Sequence, residues 1–114
     1  MAEKIRKHGA VPRMNRYVDL SAKIGDQNYL FEMKSTTETK VHHQARRGLS
    51  QLYEYRYIQN VPDAKLVLVL ESPLPGKMAW MSDYLLKDRN VLLVWDGNNR
   101  FYCPESISDQ LTFI

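Results

Sequence analysis

Apolar and polar residues alternate from Tyr17 to Ile24, with Val18, Leu20, Ala22 and Ile24 on one face, the period-two pattern of a half-buried strand. Gly25-Asp26 follows as a hairpin dipeptide. Gln27 to Lys34 is rich in aromatic and apolar residues, which favours a second, antiparallel strand. Upstream, Ala2 to His8 contains helix formers closed by Gly9, the last turns of a helix, and Pro12 starts an extended stretch. Downstream, the polar Ser35-Thr36-Thr37 leads into a long helix from about Glu38 to Gln59, which Asn60-Val61-Pro62 stops. Lys65 to Glu71 is apolar on both faces and reads as a central strand covered on both sides. Pro73 and Pro75 break the chain, and Lys77 to Lys87 forms an amphipathic pattern with Met78, Trp80, Met81, Tyr84 and Leu85 as its inner face. Val91 to Trp95 is a further buried strand, Asp96-Gly97 a turn, and Arg100 to Cys103 a short final strand; the tail to Ile114 carries no clear pattern. Helix, hairpin, helix, strand, helix, strand is the order of an α/β sandwich with a mixed sheet.

With 114 residues the chain is expected to form one domain around a single core, residues 1–114. Its longest strongly apolar run, Leu66 to Leu70, is too short to span a bilayer, so no membrane partner is expected. The N-terminus, from Met1 to His8, is charged with no apolar stretch behind it, unlike a secretory signal, which makes the cytoplasm the default location. The lone Cys103 excludes an internal disulfide and a cysteine-based zinc site, and its polar surroundings are not those of a nucleophile.

The net charge of +3 hides an asymmetry. Residues 1–60 carry 11 Lys and Arg against 6 Asp and Glu, whereas residues 61–114 carry 5 against 7. Clustered positive charge suits a phosphate backbone, through counterion release, and equally suits a solvated basic face.

The chemistry lies in the hairpin. If Ile24 pairs with Gln27, paired positions sum to 51 and Asp19 falls opposite Glu32. Opposed side chains of an antiparallel pair have Cβ atoms roughly 4.5–5.5 Å apart, where like charges destabilise unless something compensates. A hard divalent cation such as Mg²⁺ or Mn²⁺ would do so, taking carboxylate oxygens and leaving positions for water and phosphate. Lys34, two residues past Glu32, shares its face and adds an ammonium. A cation that activates water and polarises a phosphoryl oxygen, beside a lysine that steadies developing charge, is what phosphodiester hydrolysis requires. A bare Glu-x-Lys would instead be two solvent-facing neighbours, with Asp19 merely pairing with one of them; the register with Asp19 separates the readings, and a bulge at Gly25 would shift it.

Asp19, then Phe31-Glu32-Met33-Lys34-Ser35, then a helix with Gln51-Leu52-Tyr53-Glu54-Tyr55, resembles the PD-(D/E)xK nucleases, in particular the RecB-like and lambda-exonuclease-like branch with its Gln-x-x-x-Tyr motif. The likeness covers roughly residues 15–71. It implies a restriction-endonuclease-like three-layer sandwich, a central mixed sheet flanked by helices, and a Mg²⁺- or Mn²⁺-dependent deoxyribonuclease. By this resemblance Asp19, Glu32 and the Met33 carbonyl would ligate the metal, and Lys34 would be the catalytic lysine. Gln51 and Tyr55 would orient the lysine, the water or the nucleic-acid strand. Many members carry an acidic residue or histidine on a helix before the first catalytic strand; here that helix is short, and only Glu3 or His8 could fill the role. The chain could be a nuclease domain of a larger restriction, repair or phage-defence protein, or a subunit that completes its site as a homodimer.

Read without the family, Gln51 and Tyr55 share a helix face with Gly48 one turn earlier, where a missing side chain would admit a strand or a DNA backbone. Taken singly, Tyr55 reads equally well as an amphipathic core tyrosine and Gly48 as a packing glycine. Lys40, His43, Arg46 and Arg47 on the first half of the helix are candidate phosphate contacts. His42 and His43 point about 100° apart and lack a third ligand, so they read as a surface or DNA-facing pair rather than a metal site. Trp80, Trp95, Tyr53 and Tyr57 are expected in the core rather than as base-stacking residues. Two readings compete with the first: a Holliday-junction resolvase-like dimer with the same Asp, Glu-x-Lys core, and a catalytically silent nucleic-acid-binding module.

Overall fold

The computed structural model describes residues 1–10, 12–13, 20–37, 39–97 and 100–114. Asp19 and Glu38 lie outside these residues, as do Tyr17 and Val18 of the expected first strand.

A short helix α1 (Ala2–Lys7) precedes the hairpin of β1 (Leu20–Ile24) and β2 (Gln27–Lys34). Gly25 turns it at φ +63°, a conformation open to glycine without strain. The pairs run from Leu20 with Phe31 to Ile24 with Gln27, the unbulged register expected from the alternation. Helix α2 (Val41–Ile58) begins three residues later than the expected Glu38, after a turn in which the Lys40 N–H donates to the Thr37 carbonyl. It ends where Asn60 adopts φ +55°, the left-handed residue that commonly closes a helix. Strand β3 (Lys65–Leu70) stops one residue short of Glu71.

The next helical stretch departs from the single amphipathic helix expected over residues 77–87. Residues Gly76–Met78 form a 3₁₀ turn, Trp80–Asp83 an α-turn, here α3, and Tyr84–Asp88 a π-turn. The wider π-turn lets consecutive residues serve both layers, Leu85 packing in the core beneath α2 and Leu86 against the opposite core. Met81 and Leu85 are buried as expected, but Trp80 is 51% and Tyr84 38% exposed. Tyr57, also expected inside, is 86% exposed. These are corrections to the sequence reading: aromatic content marked the residues as apolar, while Met81 and Leu85, four apart, suffice to seat the helix. Tyr53 and Trp95 do pack against the core.

Strand β4 (Val91–Gly97) runs two residues past the expected Trp95, because Asp96 and Gly97 pair with Phe101 and Arg100 of β5 (Arg100–Tyr102) instead of forming the turn. The patternless tail is a 3₁₀ stretch, Glu105–Gln110, and it contributes Ile107, Leu111 and Phe113 to the core.

The five strands lie in chain order, antiparallel at both outer pairs and parallel through β2, β3 and β4. Both crossover connections, through α2 and α3, lie on one face, as a single crossover handedness requires when strand order advances one way. Leu30, Leu66, Leu68, Leu70, Val91 and Leu93 meet α2 and α3 there. On the other face Tyr29, Phe31, Val67, Val69, Leu92 and Val94 meet Ile5 of α1 and the C-terminal segment. The result is a mixed α/β fold with a five-stranded mixed sheet flanked by helices, and no helix among the described residues is long and apolar enough to cross a membrane.

Candidate active site

Period two along β2 sends Tyr29, Phe31 and Met33 to one core and Leu30, Glu32 and Lys34 to the face beneath α2. Glu32 therefore stands where an apolar residue would be expected, between Leu30 and the end of the strand. Its side chain is 3% exposed and that of Lys34 12%, and Lys34 Nζ lies 3.0 Å from Glu32 Oε2. Two solvent-facing neighbours are thus excluded: this is an ion pair with its carboxylate buried and its lysine largely covered. Removing both charges from water costs several kcal/mol per ion, which mutual attraction recovers only with good geometry and further hydrogen bonds. A surface pair such as Lys87 with Asp83, more than two-thirds exposed on both sides, carries no such penalty.

Gly48 explains how the pair is covered. A methyl group there would overlap Leu68 Cδ1 and come within 3.4 Å of Lys34 Cγ and 3.7 Å of Glu32 Cγ. The missing side chain lets the α2 backbone settle onto the stems of both site residues, so the close approach anticipated at this glycine is to strands β2 and β3. One turn further along α2, Gln51 Nε2 donates to the Tyr55 hydroxyl at 3.1 Å. The Gln51 Oε1 atom is buried with no hydrogen-bond partner among the described residues, as is Gln44 Oε1, seven residues earlier on the same flank. Gln44 Nε2 donates to the Ser35 carbonyl at 2.9 Å and ties α2 to the exit of β2. Sequence reasoning missed Gln44, although its spacing from Gln51 would have signalled a shared flank.

Beyond Lys34 the strand ends are fastened by the Glu71 N–H to the Lys34 carbonyl, 3.1 Å, and by a 2.8 Å hydrogen bond between the hydroxyls of Thr36 and Ser72. Lys34 consequently sits at the carboxyl end of the parallel strand β2, where the chain leaves the sheet towards α2.

Of the other residues anticipated from sequence, Lys40, His43, Arg46 and Arg47 are all exposed on the first two turns of α2 or just before them. Met33 is on β2 between the two charged residues, paired with Val69. Glu3 is exposed and ion-paired to Lys7 at 3.7 Å, and His8 rests edge-on against Phe113. Cys103 is half-buried, and burial pushes its thiol above the ordinary value.

The donor chemistry fits a hard cation in kind: a buried carboxylate, acceptor-only, beside a strand backbone. Among the described residues no three His, Cys, Asp or Glu come together as a ligand group, and the second expected carboxylate, Asp19, falls outside them. No family model, curated protein or solved structure matches the chain.

Proposed function

We propose that this chain is a metal-dependent DNA nuclease of the PD-(D/E)xK type, with a restriction-endonuclease-like fold and its active site at Glu32 and Lys34. The observation that carries the reading is the buried Glu32 to Lys34 pair at the carboxyl edge of β2, beneath a helix whose Gly48 admits it. A charge pair held out of water at the end of a sheet strand carries a desolvation cost that folding alone does not require, which supports a functional role for it. The register of the β1–β2 hairpin supports it further, since the described pairs keep the sum that puts Asp19 opposite Glu32 in the sequence reading.

In this proposal Glu32, Asp19 and the Met33 carbonyl hold Mg²⁺ or Mn²⁺. When bound, such an ion polarises the phosphoryl oxygen and activates water. Glu32 fixes the Lys34 ammonium by their 3.0 Å contact, and Lys34 donates to the phosphoryl oxygen as negative charge grows during attack by water. The attacking water releases one proton to solvent as its oxygen bonds to phosphorus, the P–O bond to the departing nucleotide breaks, and the departing oxygen takes a proton from solvent. Gln51 and Tyr55 act as one hydrogen-bonded unit that orients the lysine, the water or the strand. Lys40, His43, Arg46 and Arg47 hold the phosphate backbone.

The test is cleavage of supercoiled plasmid and single-stranded DNA in Mg²⁺, Mn²⁺ or EDTA by the wild type, Glu32→Ala and Lys34→Ala. Metal-dependent cutting lost in both variants is the expected result. A wild type that binds DNA independently of metal and cuts nothing would overturn the enzyme and leave a binding module.

A further inference from the structure

Trp80 and Tyr84 were expected to be core residues and stand at the surface instead. With His42, Arg46 and Leu49 of α2 they border a cleft of about 260 Å³ floored by Met81, Leu85 and Ala45. The indole is 51% exposed. Neither of its ring neighbours stacks on it: His42 meets it edge-on, centroids 5.7 Å apart at 87°, and Tyr84 lies at 6.2 Å and 56°. Drug-sized ligands fill pockets of about 300–1,000 Å³, so this cleft has room for a single ring system.

The charge around the cleft is one-sided. Arg46 stands at the rim, Lys40, His43 and Arg47 are exposed on neighbouring positions, and the first turn of α2 has no acidic residue. Asp83 on the α3 side is matched by Lys87 at 3.3 Å. Cleft and Glu32–Lys34 pair lie on opposite flanks of α2, separated by its basic first turns. An indole with an unstacked face, an apolar floor and a cationic rim is what an unpaired base and its phosphates require, because every base has a π-face and every link a negative charge. Duplex DNA hides those faces within its own stack.

We propose that the cleft between α2 and α3 receives an unstacked base of single-stranded DNA against Trp80, with the flanking phosphates on Arg46 and the first turns of α2. This deepens the proposed function and rests on its DNA-binding half. A strand gripped there passes over the amino-terminal end of α2 towards Lys34, so the substrate class is DNA with an unpaired segment.

The experiment is oligo(dT) binding to the full chain in EDTA, where no cutting occurs, read by the anisotropy of labelled oligo(dT) and by indole emission in a Trp95→Phe background that leaves Trp80 as the reporter. Oligo(dT) is expected to quench the emission while duplex of equal length does not. Trp80→Ala is expected to weaken oligo(dT) binding about five- to a hundredfold, with Trp80→Phe close to wild type and the melting temperature of both retained. Unchanged affinity in Trp80→Ala, or equal quenching by duplex, would overturn the inference. Cleavage in Mg²⁺, compared between the wild type, Glu32→Gln and Trp80→Ala, separates the two proposals. If the Trp80 response is present in a wild type that cuts nothing in Mg²⁺, the cleft assignment stands and the nuclease falls; cutting that is abolished by Glu32→Gln but indifferent to Trp80→Ala has the opposite meaning.

Discussion

The two faces of the sheet are made from alternate residues of the same strands and differ in one respect. The face towards α1 and the C-terminal segment buries no charged side chain among the described residues, with Phe31 wholly buried among Tyr29 and Phe113, whose rings lie 6.0 and 5.9 Å from it. The face beneath α2 has the same aliphatic strands, Leu30, Leu66, Leu68 and Leu93, but admits Glu32 and Lys34 at one corner. One face is a solution to folding alone. The other gives up part of that solution to keep a carboxylate and an ammonium out of water, a compromise expected where chemistry is performed.

The largest effects should separate these faces. Glu32→Gln or Lys34→Met is expected to lower metal-dependent cleavage about 10²–10³-fold, the scale of losing one charge-stabilising group, as measured by plasmid nicking. The same pair gives the sharpest thermodynamic contrast. Lys34→Met alone leaves the Glu32 carboxylate buried beside an apolar chain and should cost about 3 kcal/mol in urea unfolding. Adding Glu32→Leu should restore wild-type stability or exceed it by about 1–4 kcal/mol, with activity still absent. If the double variant is less stable than Lys34→Met, the pair is a structural element and the comparison fails.

Phe31→Ala on the opposite face is expected to cost about 3–5 kcal/mol by the same measurement, with cleavage per folded molecule retained. Gly48→Ala comes next. Its methyl gains about 1 kcal/mol of helix propensity but overlaps Leu68, so a net loss of about 1–2 kcal/mol is expected, smaller in a Leu68→Ala background. A Gly48→Ala chain as stable as the wild type would show that α2 does not lie so tightly on the pair. The smallest effect concerns Tyr29, whose phenol burial raises above its usual value of 10.0. A folded-state value above the unfolded one means stability fully present below about pH 10 and lost as pH rises through the folded value. Tyr29→Phe should flatten that alkaline limb of the unfolding free energy.

The hairpin was the most legible part of the molecule, since period two along Leu20–Ile24, the Gly25-Asp26 turn and the register leave little freedom once one face must be buried. The long helix and the two apolar central strands follow from equally local signals. Residues 77–87 were legible only in part: Met81 and Leu85 seat the helix, but whether Trp80 and Tyr84 also turn inward depends on how much space α2 leaves beside them. The tail was not legible at all, because Ile107, Leu111 and Phe113 acquire meaning only against the sheet face they cover.

What the sequence determined by itself is therefore the hairpin with its register, the long helix, the apolar central strands and the residue types available for chemistry: Glu32 and Lys34 on one side of one strand, with Gln51 and Tyr55 one helical turn apart. The tertiary structure alone decided that the Glu32 to Lys34 pair is buried, that Gly48 is the point at which α2 closes on it, and that Trp80 faces solvent across a cleft. The physical reason is range. Backbone periodicity and turn geometry act over a few residues, whereas burial is set by whichever distant segment comes to lie on top, here α2 at Gly48 over strands whose positions are fixed by pairing across the whole chain.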